Sequence, residues 1–327
     1  MNTAIKATTR VGAVLFAALV SFSGMSQAAT WPDKPVHIVV PYSAGGTTDF
    51  IARLIAQKVG EETGGTFVVE NKTGGGGTIG AAYVARAKPD GTTFMTNDTA
   101  YAMLPALFKK LSWDHEHDLI PVTTLISTPV VLAVPANSRF KTLKALQDYA
   151  KANPGKLNFG TGGVGSSAHL QAVLFNSEAG IQATHVPYKG AGEAMVSLVG
   201  GQVDYLISAS PTAIPQVDGG KVRALAITGD ARIDPLKDTP TFAEAGLPEY
   251  TVMNWFGFAA PKGTDPSIID KLYHAVKQAL TDPDIKQRLA SQGAIPGGAT
   301  PEAFKALIQK EVKVWAAAAQ GAGIQPQ

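Results

Sequence analysis

The sequence predicts an α/β protein of two domains, each a mostly parallel sheet flanked by helices. Three observations carry that expectation. Short apolar runs alternate with stretches of helical period along almost the whole chain. Two glycine-rich turns, Pro41-Tyr42-Ser43-Ala44-Gly45-Gly46-Thr47-Thr48-Asp49 and Gly160-Thr161-Gly162-Gly163-Val164-Gly165-Ser166-Ser167, each follow an apolar run and open a helical pattern. The two halves that contain these turns both read as β-α-β-α-β, without a tight repeat between them.

The elements follow in order. Residues 36–40 read as a strand and 48–63 as an amphipathic helix, with Phe50, Ile51, Leu54, Ile55 and Val59 at helical spacing. A strand at 67–70, a helix at 78–86 and a strand at 92–96 come next, the last two separated by the turn Pro89-Asp90-Gly91. The second half gives strands at 130–134, 157–159, 183–187, 205–207 and 222–227, interleaved with helices at 143–152, 167–179 and 193–199. Helices at 268–280, 284–292 and 302–319 close the chain. A crossing near 129–134 and a return near 250–258 predict a two-stranded hinge. Domain 1 is then 29–129 with 255–327, and domain 2 is 130–254.

The chain has 327 residues, of which 45% are hydrophobic and 17% charged, enough for two cores. Its first 28 residues read as an export signal. Lys6 and Arg10 give a positive start, 11–22 is apolar but short for a bilayer, and Ser26-Gln27-Ala28 is a small-x-small cleavage site. Cleavage after about Ala28 is expected to release a soluble periplasmic chain. Removing Lys6 and Arg10 from 28 bases leaves 26, against 26 acids. A neutral chain offers no electrostatic footprint for nucleic acid or anionic lipid. No later segment reads as long and apolar enough for stable membrane insertion. The absence of cysteine excludes disulfides, thiolate metal sites, a cysteine nucleophile and a lipidated N-terminal cysteine. Nucleotide and nicotinamide cofactors are not expected in such a compartment.

The two turns carry the functional reading. A strand, a glycine turn and a helix expose free backbone N–H groups and the positive end of a helix dipole to an anion. Tyr42, Ala44, Gly45, Gly46 and Thr47 form the first candidate surface, with Gly45 and Gly46 allowing close approach and positive φ and Thr47 as N-cap. Asp49 reads as a cap or as a direct ligand contact; because a carboxylate would repel an anionic ligand, it is expected rather to hold this loop or an ordered water. Gly162, Gly163, Ser166 and Ser167 form the second surface. Gly160-x-Gly162-x-x-Gly165 matches the dinucleotide spacing literally, but Ser166 and Ser167 suit a small carboxylate better than a pyrophosphate. Ser166 and His169 lack the Gly-x-Ser-x-Gly elbow of a hydrolase. Asp114-His115-Glu116-His117-Asp118 reads as a solvated acidic turn, because histidines at i and i+2 do not share a helix face. No metal and no cofactor is expected. Asn97, Asp98, Thr99 and Tyr101 follow the third strand and so reach the same end of the sheet. Asp98 reads either as a cap or as the partner of a cationic group on the ligand. Tyr188 reads as a ligand contact or as packing at the rim, and Ser208 adds a hydroxyl after the strand at 205–207.

Several ordered blocks then carry a resemblance. They include Val39-Val40-Pro41-Tyr42-Ser43-Ala44-Gly45-Gly46-Thr47-Thr48-Asp49, Lys88-Pro89-Asp90-Gly91, Gly165-Ser166-Ser167-Ala168-His169-Leu170, His185-Val186-Pro187-Tyr188-Lys189-Gly190 and Pro240-Thr241-Phe242-Ala243-Glu244-Ala245-Gly246. The chain resembles the periplasmic solute receptors of tripartite tricarboxylate transporters, the Bug family, from Trp31 to Ile324. The resemblance implies a Venus-flytrap receptor without catalysis. It implies a small carboxylate held between Tyr42–Thr47 and Gly162–Ser167, and a monomer that serves a two-component membrane permease or, in some members, a signalling system. The chain departs from the commoner pattern at Asn97-Asp98-Thr99-Ala100-Tyr101 and at Ser208-Ala209-Ser210. These positions are expected to read the variable end of a dicarboxylate, aromatic acid or amino acid.

Overall fold

The computed structural model describes residues 31–321 and 326. The expected export signal at 1–28, its cleavage after about Ala28, and the end of the resemblance at Ala322-Gly323-Ile324 lie outside the described residues.

Strand β1 (Val36–Val40) runs parallel to β2 (Phe67–Asn71) on one side and β3 (Thr93–Asp98) on the other. Helix α1 (Thr47–Thr63) follows β1, α2 (Thr78–Ala85) precedes β3, and α3 (Thr99–Leu107) follows it. The chain then enters β4 (Leu119–Pro135), a strand of 17 residues. Beyond it, α4 (Leu143–Ala152) leads to a second parallel set. There β5 (Leu157–Thr161) lies between β6 (Ala183–Pro187) and β7 (Tyr205–Ala209). Helices α5 (Ser167–Glu178), α6 (Ala191–Val199) and α7 (Ser210–Asp218) follow β5, β6 and β7 in turn, and β8 (Val222–Ile227) comes after α7. The chain returns through β9 (Met253–Pro261) and ends in α8 (Pro266–Ala279), α9 (Pro283–Ser291), the short β10 (Ile295–Pro296) and α10 (Pro301–Gly321).

The strand order β2-β1-β3-β9-β4-β7-β5-β6 makes the sheet mixed. Its two parallel sets are joined by antiparallel strands. Through residues 119–129, β4 pairs with β9; from Val130 onward it pairs with β7 and β8. Helices cover both faces of each set. Ile38, Ile51 and Phe258 pack with α8 on one face of the first set, and Met103, Phe304 and Trp315 pack on the other. Phe175, Phe242 and Tyr250 form one core of the second set, and Ala194, Leu198 and Ile214 the other. Each such large apolar side chain stabilises the fold by roughly 1.5–3 kcal/mol through burial. Capping fixes several helix starts. Asp265 and Asp282 accept amide hydrogen bonds at the heads of α8 and α9, each followed by a proline at the first helical position.

Besides the short β10, three elements differ from the sequence reading. The strand read at 130–134 begins at Leu119, and helices α3 and α7 were not expected. Together they matter for the site, because α3 and α7 begin where β3 and β7 end. Each parallel set therefore directs its carboxyl ends and its helix N-termini to one region, where open α/β sheets bind ligands.

Candidate functional site

That region holds a cavity of about 40 Å³, room for a few water molecules. Its wall takes Tyr42, Ser43 and Gly46 to Thr48 from the first turn, Gly162 and Ser166 to Ala168 from the second, and Ser208 and Thr212 from the β7–α7 junction. Five helices begin at this wall. Gly46 is the N-cap of α1, Asp98 of α3, Ser166 of α5 and Ala209 of α7, while Ala191 is the first residue of α6. Each helix start carries about half a positive charge on unsatisfied amides. No lysine or arginine lines the cavity among the described residues. The wall is therefore made positive by backbone rather than by basic side chains.

Hydrogen bonds cross between the two parallel sets beside the cavity. The Thr47 amide donates to Thr212 Oγ1 at 3.0 Å, and the two threonine hydroxyls lie 2.8 Å apart. The Ser43 amide donates to the Lys189 carbonyl at 3.2 Å. On the side of the second parallel set, Gln171 Nε2 on α5 donates to Asn254 Oδ1 at the start of the joining strand β9, at 2.6 Å. Three polar atoms of the wall, Ser43 Oγ, Gln171 Oε1 and Ser208 Oγ, are buried without a protein partner. A ligand oxygen or ammonium is a fitting partner for such groups, because an unpaired buried polar atom costs about 1–3 kcal/mol.

Asp98 is the only ionisable carboxylate on the wall among the described residues. It caps α3 by accepting the Ala100 amide at 3.0 Å, and it accepts the Tyr42 hydroxyl at 3.2 Å. Burial pushes its carboxyl up to about 7, against hydrogen bonds from Ala100, Tyr42 and Thr48 that favour the ionised form. Burial likewise raises the Tyr42 phenol well above its ordinary range, with the Asp98 charge adding to the shift. Tyr42 thus remains a neutral donor.

The candidate residues divide clearly. Tyr42, Gly46, Thr47, Asp98, Gly162, Ser166, Ser167 and Ser208 meet at the cavity wall. Ala44, Gly45 and Gly163 lie in the same turns behind it. Gly45 takes φ +85°, as expected, but Gly46 has φ −87° and needs no left-handed freedom. Gly46, not Thr47, is the N-cap of α1, with no side-chain bond; the Thr47 hydroxyl is engaged by Thr212 instead. Asp49 holds the first loop. Burial pushes its carboxyl up, but Arg53, Asn71 and the Gly45 amide outweigh this and leave it below the usual carboxylate range. Asn97 is buried beside Asp98 but outside the wall, and Thr99 donates to the Trp255 carbonyl and accepts its amide. Tyr101 points elsewhere. Its hydroxyl donates to the His115 carbonyl at 2.6 Å, and its ring stacks on the His115 ring. Residues 114–118 are thus anchored at His115 rather than wholly solvated. The Tyr188 hydroxyl is bound to Ser197 at the edge of the α6 core. Tyr101 and Tyr188 lie outside the wall because each aromatic side chain has a packing partner that fixes its direction.

The sequence reading missed the glycines that permit the closest contacts. A Cβ on Gly192 would lie 2.3 Å from the Ala44 carbonyl oxygen, and one on Gly76 would lie 2.2 Å from that of Val164. Both contacts bring one parallel set against the other. The missed signal is the Gly-Ala-Gly at 190–192, which opens α6 as the two recognised turns open α1 and α5.

Residues 51–324 match the tripartite tricarboxylate transporter family receptor. The chain is 35% identical to protein BugT of Bordetella pertussis over 319 residues, covering 96% of this chain and 98% of that one. Among solved structures it is similar to the periplasmic binding protein BugD (TM-score 0.88, 34% identity, 91% of this chain and 100% of that one). It is also similar to Rpa4515 of R. palustris with adipate (TM-score 0.87, 35% identity, 91% and 100%). The third is MatC of Rhodopseudomonas palustris with bound malate (TM-score 0.84, 35% identity, 88% and 99%). The chain belongs to the tripartite tricarboxylate transporter receptor family, the Bug proteins, and has their α/β periplasmic-binding-protein fold.

Proposed function

We propose that this member of the receptor family captures a small carboxylate between two lobes, without turnover, and delivers it to a two-component membrane permease. The lobes are 29–129 with 255–327, and 130–254, closing about the paired strands β4 and β9 as a monomer in the periplasm after cleavage near Ala28. One observation carries this reading: a cavity bordered by both glycine turns and by five helix starts, with no basic side chain on its wall among the described residues. Backbone amides and hydroxyls there suit a carboxylate of modest charge. The adipate and malate of the two solved neighbours support the ligand class. Ligand contacts made only in the closed arrangement would drive closure.

A thermal-shift screen of mono-, di- and tricarboxylates tests it. A ligand at a hundred times its Kd adds about 2.7 kcal/mol of stability, an increase of several degrees for a chain of this size. Calorimetry should then show one-to-one binding, with the ligand recovered unchanged. Failure of every small carboxylate to stabilise the protein, or conversion of a bound ligand into product, would refute the reading.

A further inference from the structure

We propose that Asp98 makes this cavity select a small zwitterion, a molecule with one carboxylate and one protonated amine, over a dicarboxylate of the same length. The inference rests on the carboxylate-receptor reading and sharpens it. Asp98 is buried, borders the cavity, and has no lysine or arginine beside it on the wall among the described residues. Its partners, the Ala100 amide and the Tyr42 and Thr48 hydroxyls, are uncharged donors. A buried carboxylate without a counter-charge is costly, and it is relieved most by a cation brought within hydrogen-bond reach.

The rest of the wall has the opposite character. The heads of α1, α5, α6 and α7 present amides and hydroxyls, so a ligand carboxylate is held there. The cavity therefore has a cationic wall of backbone and one anionic point. A dicarboxylate turns its second charge towards Asp98, whereas an aminocarboxylate turns an ammonium towards it. Three further buried acceptors without protein partners, Ser43 Oγ, Gln171 Oε1 and Ser208 Oγ, lie on the same wall and can accept the remaining N–H groups. A protonated Asp98 donating to a second carboxylate is the rival arrangement. Burial favours that form below about pH 7 and the hydrogen bonds from Ala100, Tyr42 and Thr48 oppose it, so the two arrangements are told apart at pH 8, where Asp98 is mainly ionised.

The test uses matched pairs in which an ammonium replaces the distal carboxylate: malonate and glycine, succinate and 3-aminopropanoate, glutarate and 4-aminobutanoate, with alanine and proline added. Calorimetry at pH 8 should find an aminocarboxylate bound at least tenfold more tightly than every dicarboxylate. Asp98→Asn, which can still cap α3 and accept from Tyr42, should lose tenfold or more for that ligand and not for dicarboxylates. Should the variant fail to fold, the wild-type preference measured at pH 6 and pH 8 serves instead. It should shrink at pH 6, where Asp98 takes up a proton. Tighter dicarboxylate binding in the wild type, or an unchanged preference in Asp98→Asn, would overturn the inference and leave the carboxylate receptor standing. Binding of none of these probes, nor of any other small carboxylate, would overturn both.

Discussion

Asp98→Asn also tests the energetics of the site in the absence of any ligand. Burial lifts this carboxyl from 3.8 to about 7. Below pH 4 the group is protonated in both folded and unfolded chains and costs nothing. Between about 4 and 7 the unfolded chain gives up the proton while the folded one keeps it, so stability falls as pH rises. Above 7 both are ionised and the full loss applies. A displacement of about three units corresponds to roughly 4 kcal/mol at 1.36 kcal/mol per unit. Asparagine cannot ionise, and its carbonyl oxygen can still accept the Ala100 amide and the Tyr42 hydroxyl. Its extra amide donors, placed against the cavity wall, return about 1–2 kcal/mol of that gain. The expected net stabilisation is therefore about 2 kcal/mol at pH 8, or roughly 4–8 °C in Tm, and at pH 4, where only the cost of the amide donors remains, the variant should be about 1–2 kcal/mol less stable than the parent. Scanning calorimetry of both proteins at the two pH values is the assay. An equal shift at both pH values, or a less stable variant at pH 8, would show that the Asp98 charge is already compensated. A variant that gains stability while losing zwitterion affinity would fit a site that retains a costly charge for recognition.

Other outcomes follow from the same contacts. Gly192→Ala places a methyl 2.3 Å from the Ala44 carbonyl; overpacking of about 1–3 kcal/mol in the closed arrangement should weaken ligand affinity about tenfold or more by calorimetry, with Tm changed little. His185, stacked between Phe159 and His169, is pushed down to about 4 by burial and by the neighbouring His169. Its depressed value means stability is full above about 6.5 and is lost as pH falls towards 4. Discounted for a half-exposed ring, the loss is on the order of 1–2 kcal/mol, and urea unfolding at pH 7 and pH 4.5 should show it diminished in His185→Gln. Tyr101→Phe deletes the bond to the His115 carbonyl and should cost about 1 kcal/mol of stability while leaving ligand affinity, read by titration, unchanged.

Much of this architecture is legible because its strands and amphipathic helices obey simple periods. The exceptions have physical causes. The first part of β4 contains Pro121, Thr123, Thr124, Ser127 and Pro129, which read as loop residues. Register shifts after Pro121 and Thr124 let the strand carry them. Helix α3 is buried on nearly every side, so it shows no polar face, and it carries Pro105. Helix α7 holds Pro211 and Pro215, the first of them harmless in the opening turn. At the site, the turns at 41–47 and 162–167 were visible because glycine after a strand has few other uses. The directions of Tyr101 and Tyr188 were not visible, since they depend on His115 and Ser197, which local spacing does not bring near.

The means of holding the anion also has a consequence for how the receptor should respond to salt. A guanidinium or ammonium on a flexible arm binds a carboxylate by point charge, and exposed pairs of that kind weaken as the Debye length contracts from about 10 Å at 0.1 M to about 3 Å at 1 M. Here the positive character comes from amides fixed at the heads of α1, α5, α6 and α7 around a buried cavity. Such dipoles act over one helical turn, need no reorganisation when the ligand arrives, and are shielded from mobile ions once the Thr47–Thr212 and Ser43–Lys189 bonds form beside it. Affinity should therefore change less than about threefold between 0.05 and 1 M NaCl, because the screening ions cannot enter the space where the charges meet. A steeper dependence, measured by calorimetry with a ligand found in the screen, would mean that a solvent-exposed cation such as Lys189 takes part in binding. The anion would then not be held by helix termini alone.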